Sequence, residues 1–245
     1  MTTPLSSLYP TSSLSGPSLE FRAFWAVFVK LVLEITVEAY QRMRQDAKAR
    51  RDWEENQFSR CLTQDYLQPL ARQQPLALVA EPRVRVYSEG LKKAMKDGHR
   101  VSQRAPEIDI KIFIPTWDYD RVYFAWECKR VADKQKSKEY AKLVAEYVPE
   151  GILRFINEEY AVDLDDAGML GYVLAGDVST IVQDINASIR RPHRTYQLSA
   201  KDCLASSCAL GSFQDAYQSN HERFSSHKSV RLHHLFLTFD FDLAK

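Results

Sequence analysis

The stretch EIDIKIFIPTWDYDRVYFAWECKR, residues 107–130, reads as two apolar strands joined by a turn. Ile108, Ile110 and Ile112 alternate with Asp109 in the first strand, PTWDYD reverses the chain, and Tyr123, Phe124, Ala125 and Trp126 open the second. The second strand closes on Glu127, Cys128 and Lys129, where a core strand would stay apolar. Side chains two apart on a strand share a face, so Glu127 and Lys129 project together while Cys128 enters the other layer. An antiparallel return brings Asp109 beside Glu127 on the neighbouring strand. Two carboxylates facing each other in a half-buried sheet repel and resist desolvation unless a cation separates them or one keeps a proton.

Outward from this hairpin the pattern alternates. Residues 1–18 are rich in Ser, Thr and Pro and read as a disordered tail. Residues 19–51 have helical spacing, with Phe21, Phe24, Phe28, Leu31, Ile35 and Tyr40 forming a broad apolar face that packs on the body or on a partner subunit. A second helix is expected from Asp52, its cap, through WEENQFSRCLTQDYLQPLAR, with its end blurred by Pro69. LALVAEPRVRV follows as a strand, and SEGLKKAMKDG as a short helix or turn. Beyond the hairpin, KSKEYAKLVAEYVPEGILRFINEEY reads as a helix with a kink or restart at Pro149. GMLGYVLA is an apolar strand, GDVSTIVQDINASI a helix capped by Asp177 or Ser179, and SVRLHHLFLTFDF the last strand. Helices and strands in this order predict an α/β fold, with one domain over 52–245 behind the tail and the first helix.

Composition narrows the classes. With 245 residues, 45% hydrophobic and 27% charged, the chain has the balance of a globular domain. Thirty-three basic and 32 acidic residues give no global field for nucleic acid, so any such partner needs a local basic patch. The run from Phe24 is interrupted by Lys30 and Glu34 and is shorter than the ~20 residues of a membrane span. No secretory pattern opens the sequence, so reduced thiols, a cytoplasmic location and no membrane partner are expected.

A divalent cation resolves the conflict between Asp109 and Glu127, and hard oxygen ligands suit Mg²⁺ or Mn²⁺. The Cys128 carbonyl is a further candidate ligand. Lys129 would orient or help deprotonate a water and stabilise charge developing on a phosphate. The series Pro106-Glu107-Ile108-Asp109, a hairpin, then Glu127-Cys128-Lys129 resembles the PD-(D/E)XK nuclease superfamily of restriction-endonuclease-like folds. The likeness covers residues 52 to about 175, with two extra residues between the proline and Asp109. It implies a central mixed β-sheet flanked by helices, Asp109 and Glu127 as metal ligands, and Lys129 as the catalytic lysine. An acidic residue on the preceding helix completes such a site in many members. Glu55 fits that place first and Glu54 second.

Several basic segments are candidates for holding a phosphate backbone: Lys134, Lys136 and Lys138 beside the motif, Arg190, Arg191 and Arg194 in IRRPHR, and His221 and Arg223 in YQSNHERFSSHK. Cys203, Cys208, His221 and His227 have the loose spacing of a zinc site but lack a finger's fixed apolar positions, and read better as free thiols and polar histidines. His233 and His234 fall on opposite faces of their strand, so they cannot serve one ligand set.

The resulting expectation is a Mg²⁺-dependent endonuclease acting on DNA ahead of RNA, of a kind that resembles bacterial antiviral-defence or mobile-element components. The alternative is a non-catalytic nucleic-acid-binding or scaffold subunit that assembles through the 19–51 helix. A hydrolase of another phosphate ester is a third possibility.

Overall fold

The computed structural model describes residues 19–87, 105–135, 138–191, 198–211, 213–239 and 241, with the side chains of 138 and 139 left aside. The expected tail at 1–18 and the helix or turn at 88–98 lie outside these residues. Helix α1 (Leu19–Gln45) leads to α2 (Glu55–Cys61), a π-helical turn (Leu62–Leu67) and α3 (Gln68–Gln73). Then come β1 (Val79–Arg85), β2 (Glu107–Phe113), β3 (Phe124–Ala132), α4 (Lys138–Glu146), a second π turn (Val148–Ile152) and α5 (Leu153–Ile156). The chain closes with β4 (Asp166–Ala175), α6 (Val178–Arg190), the short β5 (Ala205–Ser206), β6 (Ala216–Glu222) and β7 (Ser229–Thr238).

The seven strands form one mixed sheet in the order β1-β2-β3-β4-β7-β6-β5. β2 runs antiparallel to both β1 and β3, whereas β3, β4 and β7 are mutually parallel. Parallel neighbours need a crossover, and the α4–α5 segment supplies it between β3 and β4. The central strand β4, DAGMLGYVLA, is buried along nearly all its length, as expected for a strand covered on both faces. Pro82 sits in the edge strand β1, where one side of the ladder needs no N–H.

Each face has its own helical layer. On one, Phe58 of α2 stacks on Tyr172 of β4 with centroids 4.9 Å apart, and Tyr40 of α1 donates to the Thr238 carbonyl at 2.5 Å. Trp25 of α1 donates to Asp166 at 2.9 Å, and its neighbour Phe28 packs 4.8 Å from Trp117 in the β2–β3 turn. The apolar face of α1 is thus laid on the body of the domain. On the other face, Tyr147 after α4 stacks on Phe236 of β7 at 5.9 Å.

Three local expectations need correction. α1 ends at Gln45 and not near 51, and Ala47 follows with φ 48°. The second helix starts at Glu55: Glu54 caps it through a reciprocal bond with Gln57, while Asp52 pairs with Arg50 at 3.0 Å. As the expected span had it, the helical run continues past Pro69, to Gln73, with a π turn just before the proline. The segment AYQSNHE, which includes the opening of the stretch singled out for holding a phosphate backbone, is strand β6, hydrogen-bonded to β7 from Ala216↔Leu235 to Glu222↔Ser229. The restart at Pro149 takes the form of the second π turn, and Asp177 is the residue that caps α6, accepting from Thr180 N.

A candidate carboxylate–lysine site at the β2–β3 fork

β2 pairs with β3 only at Ile110↔Trp126, Lys111↔Ala125 and Ile112↔Phe124. Beyond that point the ladder stops, and the Asp109 side chain accepts the Cys128 N–H at 2.7 Å in place of a backbone carbonyl. The β1–β2 ladder likewise runs from Pro82↔Ile110 to Val84↔Ile108 without a pair at Asp109, where Arg83 opposite has φ 56°. Asp109 therefore sits in a gap between strands.

Glu127 and Lys129 project from β3 toward the α4–α5 layer, and the Cys128 thiol projects to the opposite side, 3.4 Å from the Tyr172 hydroxyl. Glu127 is 1% exposed, and both its carboxylate oxygens are engaged. Lys129 Nζ donates to Oε1 at 2.8 Å, and the Tyr160 hydroxyl donates to Oε2. Arg154 Nε lies 3.6 Å from the same Oε1. Lys129 Nζ also donates to the Cys128 carbonyl at 2.8 Å and to Glu55 Oε1 at 3.3 Å. Asp109, Glu127, Lys129 and Glu55 are thus brought together. Glu54, the second choice, turns outward to Arg130 at 2.7 Å.

Charge governs this cluster. Burial, with the Glu127 and Glu55 charges added, pushes the Asp109 carboxyl up to about 8, so it keeps a proton at neutral pH. Burial also raises Glu55, opposed by Lys129 and reinforced by Glu127. For Lys129, burial pulls downward but Glu127, Glu55 and Asp109 outweigh it and hold the ammonium above its ordinary range. Lys129 is therefore held as a cation in this arrangement. Arg154 is raised in the same way, burial being overcome by Glu127.

Three carboxylates face two cations here, and one carboxyl escapes the imbalance by staying protonated. Hard oxygen donors with a surplus of negative charge fit a divalent cation in class and in sign. Among the described residues, no group of three or more His, Cys, Asp or Glu side chains is placed to hold a metal ion as they stand. The Cys128 carbonyl, expected as a ligand, is committed to the Lys129 ammonium.

Sequence reasoning missed Arg154 and Tyr160. Both lie in the crossover between β3 and β4, about 25–31 positions beyond the lysine, and only the parallel β3–β4 pairing returns them over the site.

The basic candidates are dispersed. Lys134 is exposed and bridges to Asp184 of α6 at 2.5 Å, and Arg190 and Arg191 are exposed where α6 ends. Lys136, Arg194 and the Lys138 side chain lie outside the described residues. His221 and Arg223 are corrected, because both are buried and cannot meet a polynucleotide backbone. Arg223 donates to the carbonyls of Ala161 at 2.6 Å, Leu164 at 2.8 Å and Ser229 at 3.2 Å, clamping the loop that carries Tyr160. His221 belongs to a buried chain: its Nε2 lies 2.7 Å from Ser219 Oγ, which lies 2.8 Å from His234 Nε2, whose Nδ1 is 3.0 Å from the Tyr147 hydroxyl. Asp202 Oδ1 ends the chain 3.3 Å from His221 Nδ1. His233 lies on the other face, 2.9 Å from Asp166. Cys203 bonds near Asn186, Cys208 is exposed and His227 pairs with Glu222, so the discounted zinc spacing has no geometric counterpart.

No helix among the described residues is long and apolar enough to cross a membrane. No family model, curated protein or solved structure matches this chain.

Proposed function

We propose that the protein is a metal-dependent nuclease hydrolysing phosphodiester bonds, with DNA the first substrate to test. The observation that carries this reading is the meeting of Asp109, Glu127, Lys129 and Glu55 at one interrupted place in the sheet, where their charges do not balance. Asp109 and Glu127 would hold Mg²⁺ or Mn²⁺, with Glu55 as the auxiliary carboxylate. The cation supplies Lewis-acid polarisation of a phosphoryl oxygen and offsets the carboxylate repulsion. Tyr160 fixes the rotamer of Glu127 through Oε2, and Lys129 contributes a buried positive charge beside the developing phosphorane charge. Restriction-endonuclease-like topology is part of the proposal; the mixed seven-stranded sheet and long first helix are compatible with it.

The test is cleavage of supercoiled plasmid with Mg²⁺, with Mn²⁺ and with EDTA, by the wild type and by Lys129→Gln. Metal-dependent nicking lost in the variant supports the reading, and full cleavage by Lys129→Gln sinks it. One observation favours a second reading: Asp109 is held protonated and Lys129 already bridges two carboxylates, a self-contained arrangement that suits a non-catalytic nucleic-acid-binding or scaffold subunit. Such a subunit would bind DNA equally in EDTA, with affinity falling steeply as salt rises.

A further inference from the structure

We infer that Arg154 is the residue that receives the phosphate of the substrate, an inference that rests on the nuclease reading and names the group that would hold its anion. The reasoning starts from donor counting. An ammonium has three N–H donors, and Lys129 has three acceptors within reach: Glu127 Oε1 at 2.8 Å, the Cys128 carbonyl at 2.8 Å and Glu55 Oε1 at 3.3 Å. Lys129 is saturated, so an arriving phosphate gains no hydrogen bond from it unless a carboxylate is released. Arg154 stands on the same Glu127 oxygen with five N–H donors in a planar fork. Its two charge contacts, 3.6 Å to Glu127 and 3.7 Å to Glu150, are longer than hydrogen bonds. The Arg154 side chain is 28% exposed against 10% for Lys129 and 2% for Glu127, which puts the guanidinium at the mouth of the fork.

Arg154 is not needed to aim Glu127. Lys129 and the Tyr160 hydroxyl already occupy one oxygen each. Without a fixed cation at the mouth, the carboxylates Glu55, Glu127, Glu150 and Glu159 would repel a phosphodiester. A guanidinium pairs with two phosphate oxygens at once, and it would trade two long ion pairs and a contact with Tyr160 for them.

The experiment measures binding of a short fluorescein-labelled duplex, and of its single strand, in Ca²⁺ so that cleavage does not intervene. Arg154→Gln, which removes the charge but keeps a polar amide, should weaken binding about tenfold or more and flatten the salt slope by about one charge. Arg154→Lys should recover part of the affinity. In Mg²⁺ the Gln variant should raise KM far more than it lowers kcat, whereas a role in holding Glu127 would lower kcat with KM unchanged. A Gln variant with wild-type affinity and salt slope, or with a loss confined to kcat, overturns the inference and leaves the nuclease reading standing. A wild type that neither binds nor cleaves either oligonucleotide overturns both together.

Discussion

The Asp109 carboxylate accepts the backbone N–H of Cys128 at 2.7 Å, so a titratable side chain completes the sheet where its ladder is interrupted. The same oxygen-bearing group is thus a structural acceptor and the leading candidate for a metal ligand. Substitution separates these roles. Asp109→Ala leaves a buried N–H unpaired and should cost about 1–3 kcal/mol. Asp109→Asn retains an acceptor and should stay close to wild-type stability while abolishing metal-dependent cleavage. Urea denaturation of the two variants checks the contrast, and equal losses would refute it.

A pH dependence follows from the same residue. Its carboxyl ionises near 4 in an unfolded chain and at about 8 in the folded protein. The folded state holds the extra proton through that window. The contribution of Asp109 is therefore fully present below about pH 4 and lost as pH rises through about 8. Measured from pH 4 to 9, wild-type stability should fall relative to Asp109→Asn, and the two curves should not run parallel. Mg²⁺ added at the alkaline end should raise the wild-type Tm more than that of the Asn variant.

Lys129 neutralises a carboxylate that is almost completely buried. Lys129→Ala alone should destabilise by about 3 kcal/mol, since it removes the cation hydrogen-bonded to buried Glu127 and leaves only the longer Arg154 contact to offset that charge. Adding Glu127→Gln removes the stranded charge and should restore much of that loss without restoring activity. A double-mutant cycle by chemical denaturation reads the coupling, and additive losses would show that the pair does not interact.

Gly168 of β4 lies beneath the ring of Trp126: a Cβ there would meet Trp126 Cε3 and Cζ3 at 2.2 Å. Trp126 is fully buried and precedes Glu127, so the ring cannot yield without moving the site. Gly168→Ala should cost at least about 2 kcal/mol and lower the Tm accordingly. An unchanged melting temperature would contradict this packing.

With both imidazoles neutral, the chain from Asp202 to Tyr147 runs in one direction. Against the upward push of burial, His221 and Ser199 hold the Asp202 carboxyl low, so it accepts and does not donate. In that arrangement His221 would carry its proton on Nδ1 toward Asp202, Ser219 would donate to His221 Nε2, His234 Nε2–H to Ser219, and Tyr147 to His234 Nδ1. Burial and the neighbouring His221 and His233 keep His234 far below its ordinary value and therefore neutral. Long-range ¹⁵N–¹H correlation spectra should report Nδ1–H for His221 and Nε2–H for His234. Ser219→Ala should cost about 1–3 kcal/mol by stranding both rings.

The alternation of Ile108, Asp109 and Ile110, and of Glu127 and Lys129 around Cys128, made the central hairpin and the shared face legible, because the two-residue repeat acts locally. Arg154 and Tyr160 were not legible, since their role depends on a crossover that no local period encodes. YQSNHERFSSHK misled for a different reason: polar composition suggested a solvated loop, yet Ser219, His221 and Arg223 are inside. Their burial is possible because histidine, hydroxyl and main-chain carbonyl partners satisfy one another, and such pairing is invisible in composition. The shift of the helix start from Asp52 to Glu55 is a matter of which of several acidic residues finds a reciprocal partner, here Gln57.

The π turn at Leu62–Leu67 lies directly downstream of the helix that carries Glu55. A widened turn holds one residue more than a regular one, and each residue advances a helix by about 100°. Deleting a single position between 62 and 67 would therefore let the coil close as a regular turn through nearly the same angle. Phe58 would stay over Tyr172 and Glu55 within reach of Lys129. The surplus residue is taken up where it stands, so the segments on either side keep their faces, and shortening the coil by one is a change this helix can absorb.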